Sequence, residues 1–208
     1  MFNRVRLDIG GGADHQLPTE RLLEKSTMEH QYQRAGFMAF GISQLGQAAT
    51  SLGDSEPAYQ ALVRLVNSYW LGNLASMHNP GAAFNMDISG GLPAVVLKML
   101  LESRPGEVML LPALPKEWPT GTLEGVLCRG QIEVGKLQWW PGRIRVTLRS
   151  AKEQTITLTD PARITNPAAV AGQGPIRDSV RDHACKVTLP KDQTVALDLE
   201  LERNDEKP

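Results

Sequence analysis

Cysteine is scarce: Cys128 and Cys185 are the only two in 208 residues. That excludes a disulfide-stapled scaffold and leaves room for one bridge at most, the simpler expectation being two small buried residues in strands. Net charge is almost absent as well, at −1. Without a long-range field the chain has little to steer it to phosphate backbones or anionic lipid, so neither nucleic acid nor membrane is an expected partner. Long apolar runs are also missing. The widest uncharged stretch, Leu65 to Met86, is broken by Asn67, Ser68, Gly72, Asn73, His78, Asn79 and Pro80 and is no bilayer span. Met1 to Asp8 lacks the apolar core of a secretory leader, so the expectation is a cytoplasmic protein or one whose leader has been cut away. The four histidines, at 15, 30, 78 and 183, show no metal-ligand spacing, and no metal is expected. A phosphate-cradling Gly-x-x-x-x-Gly-Lys motif is absent, and Gly10-Gly11-Gly12 lacks a strand-turn-helix setting, so no cofactor is expected.

What is present changes period near residue 105. Ser26-Thr27-Met28-Glu29 has capping-box spacing and predicts a helix from about Thr27 to Leu52, with Ile42, Leu45, Ala49 and Leu52 on its apolar side and Gly36, Gly41 and Gly46 allowing close packing. A second helix is predicted with Ser55 as cap and Pro57 in its first turn, burying Leu62, Leu65, Val66, Tyr69 and Trp70. Leu71 to Gly91 reads as a loop. After it, Leu92, Val95, Val96, Met99 and Leu100 recur at helical spacing, and Leu97 and Leu101 extend the apolar surface almost all round, which predicts a helix buried on most sides.

Beyond Ser103-Arg104-Pro105-Gly106 the residues alternate. Strands are predicted at 107–111, 125–134, 136–140, 143–149, 155–159, 185–189 and 194–202, with a loop over 166–182 and a frayed tail from Arg203. Ile144, Val146 and Leu148 alternate with Arg143, Arg145 and Thr147, which gives each strand one dry face and sets the arginines opposite Asp198 and Glu200. Val5, Leu7 and Ile9 suggest an edge strand. Trp139-Trp140 sends one indole to each side of its strand. The fold class expected is α+β: partial (α/α) barrel helices followed by an antiparallel β-sandwich. The domains are a lead-in over 1–26, a helical part over 27–104 and a sandwich over 105–208.

The loop from Met77 to Gly91 is long for a compact domain and gathers His78, Asn79, Asn85 and Asp87 just before a buried helix. Unpaired amides and the dipole at a helix N-terminus favour an ionised carboxylate, which suits Asp87 to act as a base. Spacing alone leaves open the plainer alternative that Asp87 or Ser89 only caps the helix.

The run Phe84-Asn85-Met86-Asp87-Ile88-Ser89-Gly90-Gly91, then an apolar helix, Gly106-Glu107, Leu110-Leu111-Pro112-Ala113-Leu114-Pro115 and Trp118-Pro119, resembles the end of the catalytic domain in family-95 glycoside hydrolases. The likeness continues through Gly125, Arg129-Gly130 and Glu133-Val134 and covers about Gln33 to Arg149. It implies an inverting exo-enzyme that removes α-L-fucose or α-L-galactose from glycans, built on an (α/α)6 barrel and usually exported to the periplasm or outside the cell. It further implies Asp87 as the general base, with Phe84 and Asn85 beside it as expected sugar contacts. His78, whose neutral imidazole both donates and accepts, is a third candidate contact, against the plainer alternative of a structural hydrogen-bond group. The family has His-Pro-Pro-Phe-Gln-Ile-Asp-Gly-Asn where this chain has Gly81-Ala82-Ala83-Phe84-Asn85-Met86-Asp87-Ile88-Ser89, so the histidine position does not match. Neither the family's acid glutamate nor its asparagine pair is found. Phe2-Asn3-Arg4-Val5 and Leu17-Pro18-Thr19 resemble the lead-in to the family's barrel. The expectation is therefore a chain with much of the barrel missing, inactive alone and needing a second chain or copy to supply the acid. The competing expectation is a non-catalytic carbohydrate-binding or structural sandwich module.

Overall fold

The computed structural model describes residues 6–10, 38–81, 83–161, 164–169 and 184–202. The capping box at 26–29, residues 12–36 and the tail from Arg203 lie outside them. Two compact units emerge, a helical one over Gly12–Leu100 with Pro112–Pro115, and a strand-built one over Met1–Gly11, Leu101–Leu111 and Lys116–Pro208.

The helical unit contains α1 (Ala39–Ser51), α2 (Ser55–Ser68) and α3 (Asp87–Leu100). Ala39, Ile42, Gly46 and Ala49 recur at intervals of three and four and form the buried stripe of α1. Ala58, Ala61, Leu62 and Leu65 do the same for α2. These stripes meet in a core of Ala39, Ile42, Ala61, Leu65, Tyr69 and Ile88, with Leu45, Trp70 and Leu92 packed against it. Close packing at Gly46 holds as expected: a Cβ there would stand 3.2 Å from both Ala61 and Val95.

Several edges differ from expectation. Leu52 is the C-cap of α1, not part of its stripe, and is 85% exposed. Val66, turned about 100° from Leu65 and off the buried stripe of α2, is half exposed. Asp54 occupies the cap position of α2, with Ser55 the first helical residue. On α3 only Ile88, Val95, Met99 and Leu100 are buried while Ala94 is exposed, so it is a one-sided helix rather than one covered on most sides. The helix stops at Leu100, because Leu101 is already the first residue of a strand.

The strand-built unit comprises β1 (Arg6–Gly10), β2 (Leu101–Arg104), β3 (Glu107–Leu110), β4 (Thr120–Cys128) and β5 (Ile132–Trp140), followed by β6 (Arg143–Ser150), β7 (Gln154–Thr159), β8 (Ile164–Ala169), β9 (Ala184–Leu189) and β10 (Thr194–Leu201). One sheet has the order β1-β4-β5-β6-β10-β8 and the other β2-β3-β7-β9. Among the described residues every strand pairing is antiparallel except β3 with β7. The class is α+β, helices followed by a β-sandwich.

Alternation sets the dry faces. Leu123, Leu137, Ile144, Val146, Leu148, Leu197 and Leu199 line the first sheet, and Val108, Leu110, Ile156, Leu158, Val187 and Leu189 the second, all buried. Each such side chain is worth about 1.5–3 kcal/mol removed from water. Trp139 is 1% exposed and Trp140 39%, the two-sided arrangement their adjacency predicts. Trp139 donates its indole N–H to the carbonyl of Trp118 at 2.9 Å. Arg145 lies opposite Asp198 and Arg143 opposite Glu200, also as expected.

Three strand limits needed the third dimension. The expected strand 125–134 is in fact the end of β4, a turn and the start of β5, because Gly130 and Gln131 take φ of 82° and 64° and reverse the chain. Gly135, which read as a break, sits at a bulge inside β5. The predicted loop over 166–182 is strand up to Ala169.

Candidate active site

The three helices among the described residues alternate in direction, and their hydrogen bonds show which ends meet. Ala39, first in α1, donates its N–H to the carbonyl of His78 (2.8 Å), and Tyr69, at the C-cap of α2, accepts from Met77 N–H (2.8 Å). α3 opens on Asp87 itself. The segment 70–86 therefore closes over the start of α1, the end of α2 and the start of α3. Isolated bridges between Trp70 and Ser76 and between Met77 and Phe84 shape it from within. α3 starts five residues before the expected Leu92, since Ser89 and Gly90 face solvent and carry no apolar signal.

Within this segment Asn85 is the hub. Its side-chain amide donates to Asp87 Oδ2 at 2.7 Å and faces His78 Nδ1 at 2.9 Å. Its Oδ1 accepts the backbone N–H of Asp87, an Asx turn that leads into the helix. A flipped amide would put Oδ1 against the carboxylate and Nδ2 against an N–H, so the network fixes its orientation. Because Nδ2 only donates, His78 Nδ1 must accept, which places the proton of the neutral ring on Nε2. Asn85 N–H donates to Ser76 O at 2.9 Å, and the buried Ser76 hydroxyl donates to Asn85 O. Ser89 Oγ stands 3.3 Å from Ser76 Oγ.

The structure thus brings His78, Asn85 and Asp87 together, although His78 has no matching position in the family pattern. Asp87 is the first residue of α3 rather than its cap, with its carboxylate held by a side chain. Phe84 is 67% exposed and tied by its backbone to Met77. Ser76 was not singled out from the sequence, because a serine in a loop carries no periodic signal, and Ser89 was considered only as a helix cap. Burial raises the phenol of Tyr69 above its ordinary pKa, with Arg64 pulling it back. Among the described residues no group of three or more His, Cys, Asp or Glu could hold a metal ion.

Residues 102–197 match the family model "Glycoside hydrolase family 95, C-terminal domain". The strand-built part of this chain is therefore similar to the C-terminal domain of family-95 glycoside hydrolases. Alpha-L-fucosidase 2 of Arabidopsis thaliana is 30% identical over 102 residues, which covers 45% of this chain and 12% of that protein. The family match thus covers a little under half of this chain, which spans about an eighth of the curated relative it matches. Among solved structures, a GH127 β-L-arabinofuranosidase from Geobacillus stearothermophilus T6 gives a TM-score of 0.34 at 14% identity, over 56% of this chain and 18% of that one. A second GH127 β-arabinofuranosidase gives 0.33 at 12%, over 79% and 31%. These are partial likenesses. The family-95 match extends past Arg149, where the sequence resemblance ended, and leaves His78, Asn85 and Asp87 outside its limits.

Proposed function

We propose that this chain is part of an inverting glycoside hydrolase of the α-L-fucosidase type, in which Asp87 is the general base. Asp87 takes a proton from the water that attacks the anomeric carbon, while a carboxylic acid protonates the departing oxygen from the opposite face. The observation that carries this reading is the Asn85 amide, which grips the Asp87 carboxylate at 2.7 Å and turns a flexible side chain into an aimed one. Asn85 was expected to bind sugar. Its amide is engaged at both ends, so it positions the base instead, and His78 and Phe84 remain for the substrate.

The acid must come from outside the described part of the helical unit. The other acids there, Asp54 and Glu56, stand at the start of α2, while the site gathers at its end. That is roughly 20 Å of helix at 1.5 Å per residue. An inverting pair works across roughly 6.5–9.5 Å. The substrate proposed is α-L-fucose, or a related sugar, at a glycan terminus.

α-L-Fucosyl fluoride tests the base without the acid, because fluoride leaves unprotonated. The expected first product is β-L-fucose, seen by proton NMR before mutarotation. α-L-Fucose as first product, or no enzymatic release at all, contradicts the proposal.

A further inference from the structure

The strand-built unit has an open cleft of about 430 Å³, lined by Leu127, Cys128, Gln131, Ile132, Glu133, Arg149, Ala151 and Asp192. That volume lies within the range of small-ligand sites. Its floor is a row across the outer face of the first sheet: Leu127 pairs with Glu133 and Glu133 with Arg149, so their side chains stand about 5 Å apart. Leu127 is 73% exposed, an apolar ledge beside charged groups.

Two of its walls are held in unusual backbone. Gln131 and Asp192 have φ of 64° and 57°, and they are two of the four non-glycine residues with positive φ among those described. Such positions cost free energy and persist only where their surroundings fix them. Both are fixed from the same segment: Gln131 O accepts from Ala151 N–H at 3.1 Å, and Asp192 N–H donates to Ser150 O at 2.7 Å. Gln154 ties the corner further by donating to Gly130 O (2.8 Å) and to the buried Ser150 Oγ (2.6 Å). Three turns are thereby locked around one opening, which is preformed rather than folded by a ligand.

The lining says what would enter. Glu133 and Asp192 against Arg149 leave one net negative charge, which disfavours anions. Arg149 meets Asp192 at only 3.4 Å, with both side chains about half exposed, a weak pair that can turn to a ligand. Carboxylates, a guanidinium and the Gln131 amide present acceptors and donors suited to adjacent hydroxyls, and Leu127 with the Arg149 stem offers an aliphatic surface for the C–H face of a ring. We propose that this cleft is a binding site for an uncharged sugar, carried by the β-sandwich and independent of Asp87.

The test is amide NMR of the whole chain during titration with L-fucose, D-galactose and lactose, repeated on the Asp87→Asn protein. Saturable shifts are expected for Leu127, Glu133, Arg149 and Asp192 with at least one probe, unchanged by Asp87→Asn. Leu127→Asp and Asp192→Asn should each weaken binding about tenfold, the loss of one good polar or apolar contact. Asparagine accepts the left-handed backbone, so the second variant leaves the turn intact. Absence of saturation with every probe, indifference to both variants, or equal binding of D-glucuronate overturns the proposal. Shifts confined to residues 76–89 also overturn it while leaving the active-site proposal standing.

Discussion

Asn85 holds Asp87 twice, by its amide to the carboxylate at 2.7 Å and by its Oδ1 to the backbone N–H. A side chain that spans both the functional group and the backbone of its neighbour fixes χ angles that would otherwise rotate. Asn85→Ala should therefore lower the turnover of α-L-fucosyl fluoride by about tenfold or more, while thermal unfolding shows a loss of only about 1 kcal/mol, the net value of a part-exposed hydrogen bond. Unchanged turnover alongside the same loss of stability would make Asn85 a purely structural residue.

Gly90 and Gly91 are neighbours on α3 with opposite surroundings. Nothing lies within 4 Å of a Cβ at Gly90, whereas a Cβ at Gly91 would overlap the Ser43 hydroxyl. Gly90→Ala should stabilise the chain by about 1 kcal/mol through helix propensity, and Gly91→Ala should destabilise it by about 1–3 kcal/mol through overpacking. Urea midpoints separate the two.

In the sandwich the corresponding close approach is Gly121, where an added Cβ would fall within the Trp139 indole. Trp139 is buried and hydrogen-bonded to Trp118, so it cannot turn aside. Gly121→Ala should cost about 1–3 kcal/mol or more, with loss of the near-ultraviolet tryptophan signal at a lower urea concentration than in the wild type.

Burial pushes the Cys185 thiol up to about 11 and also raises that of Cys128, with a hydrogen bond to Ser103 pulling the latter back. Both are free, and Cys128 is only partly buried. Thiolate is the reactive form, so at about pH 8 alkylation should reach Cys128 first and Cys185 only on unfolding. Mass spectrometry of tryptic peptides gives the order, and rapid labelling of native Cys185 would contradict it.

Arg145 and Asp198 make a two-pronged pair at 2.7 and 2.9 Å. The guanidinium holds the Asp198 carboxyl below its usual pKa. A depressed folded-state pKa contributes stability above the unfolded value of about 3.9, and that contribution is lost as pH falls through the folded value. Asp198→Asn should thus be slightly less stable than wild type at neutral pH, and the gap should close in acid. A gap that widens in acid would refute the assignment.

The sandwich was more legible than the helices. Residues 143–149 and 195–199 alternate with a period of two, and that pattern alone gave their buried faces and the Arg145–Asp198 register. The turn at Gly130-Gln131 was hidden because the residues on both sides are strand formers and the reversal shows only in the positive φ of both turn residues. Asp87 was visible as a carboxylate at a helix start. Its grip by Asn85 was not, because an Asx turn depends on side-chain direction, which spacing does not carry. The meeting of His78 with Asn85 depends on the fold of residues 77–84 into a small hairpin that no periodicity announces.

The most direct test of Asp87 as base is Asp87→Asn assayed with α-L-fucosyl fluoride in the absence and presence of sodium azide. Azide attacks the anomeric carbon without needing a base. The expected result is a loss of hydrolysis of about a hundredfold or more in the variant, with azide restoring turnover and yielding β-L-fucosyl azide. Undiminished hydrolysis by the variant, or no rescue by azide in a protein that still unfolds at the wild-type temperature, would contradict the account.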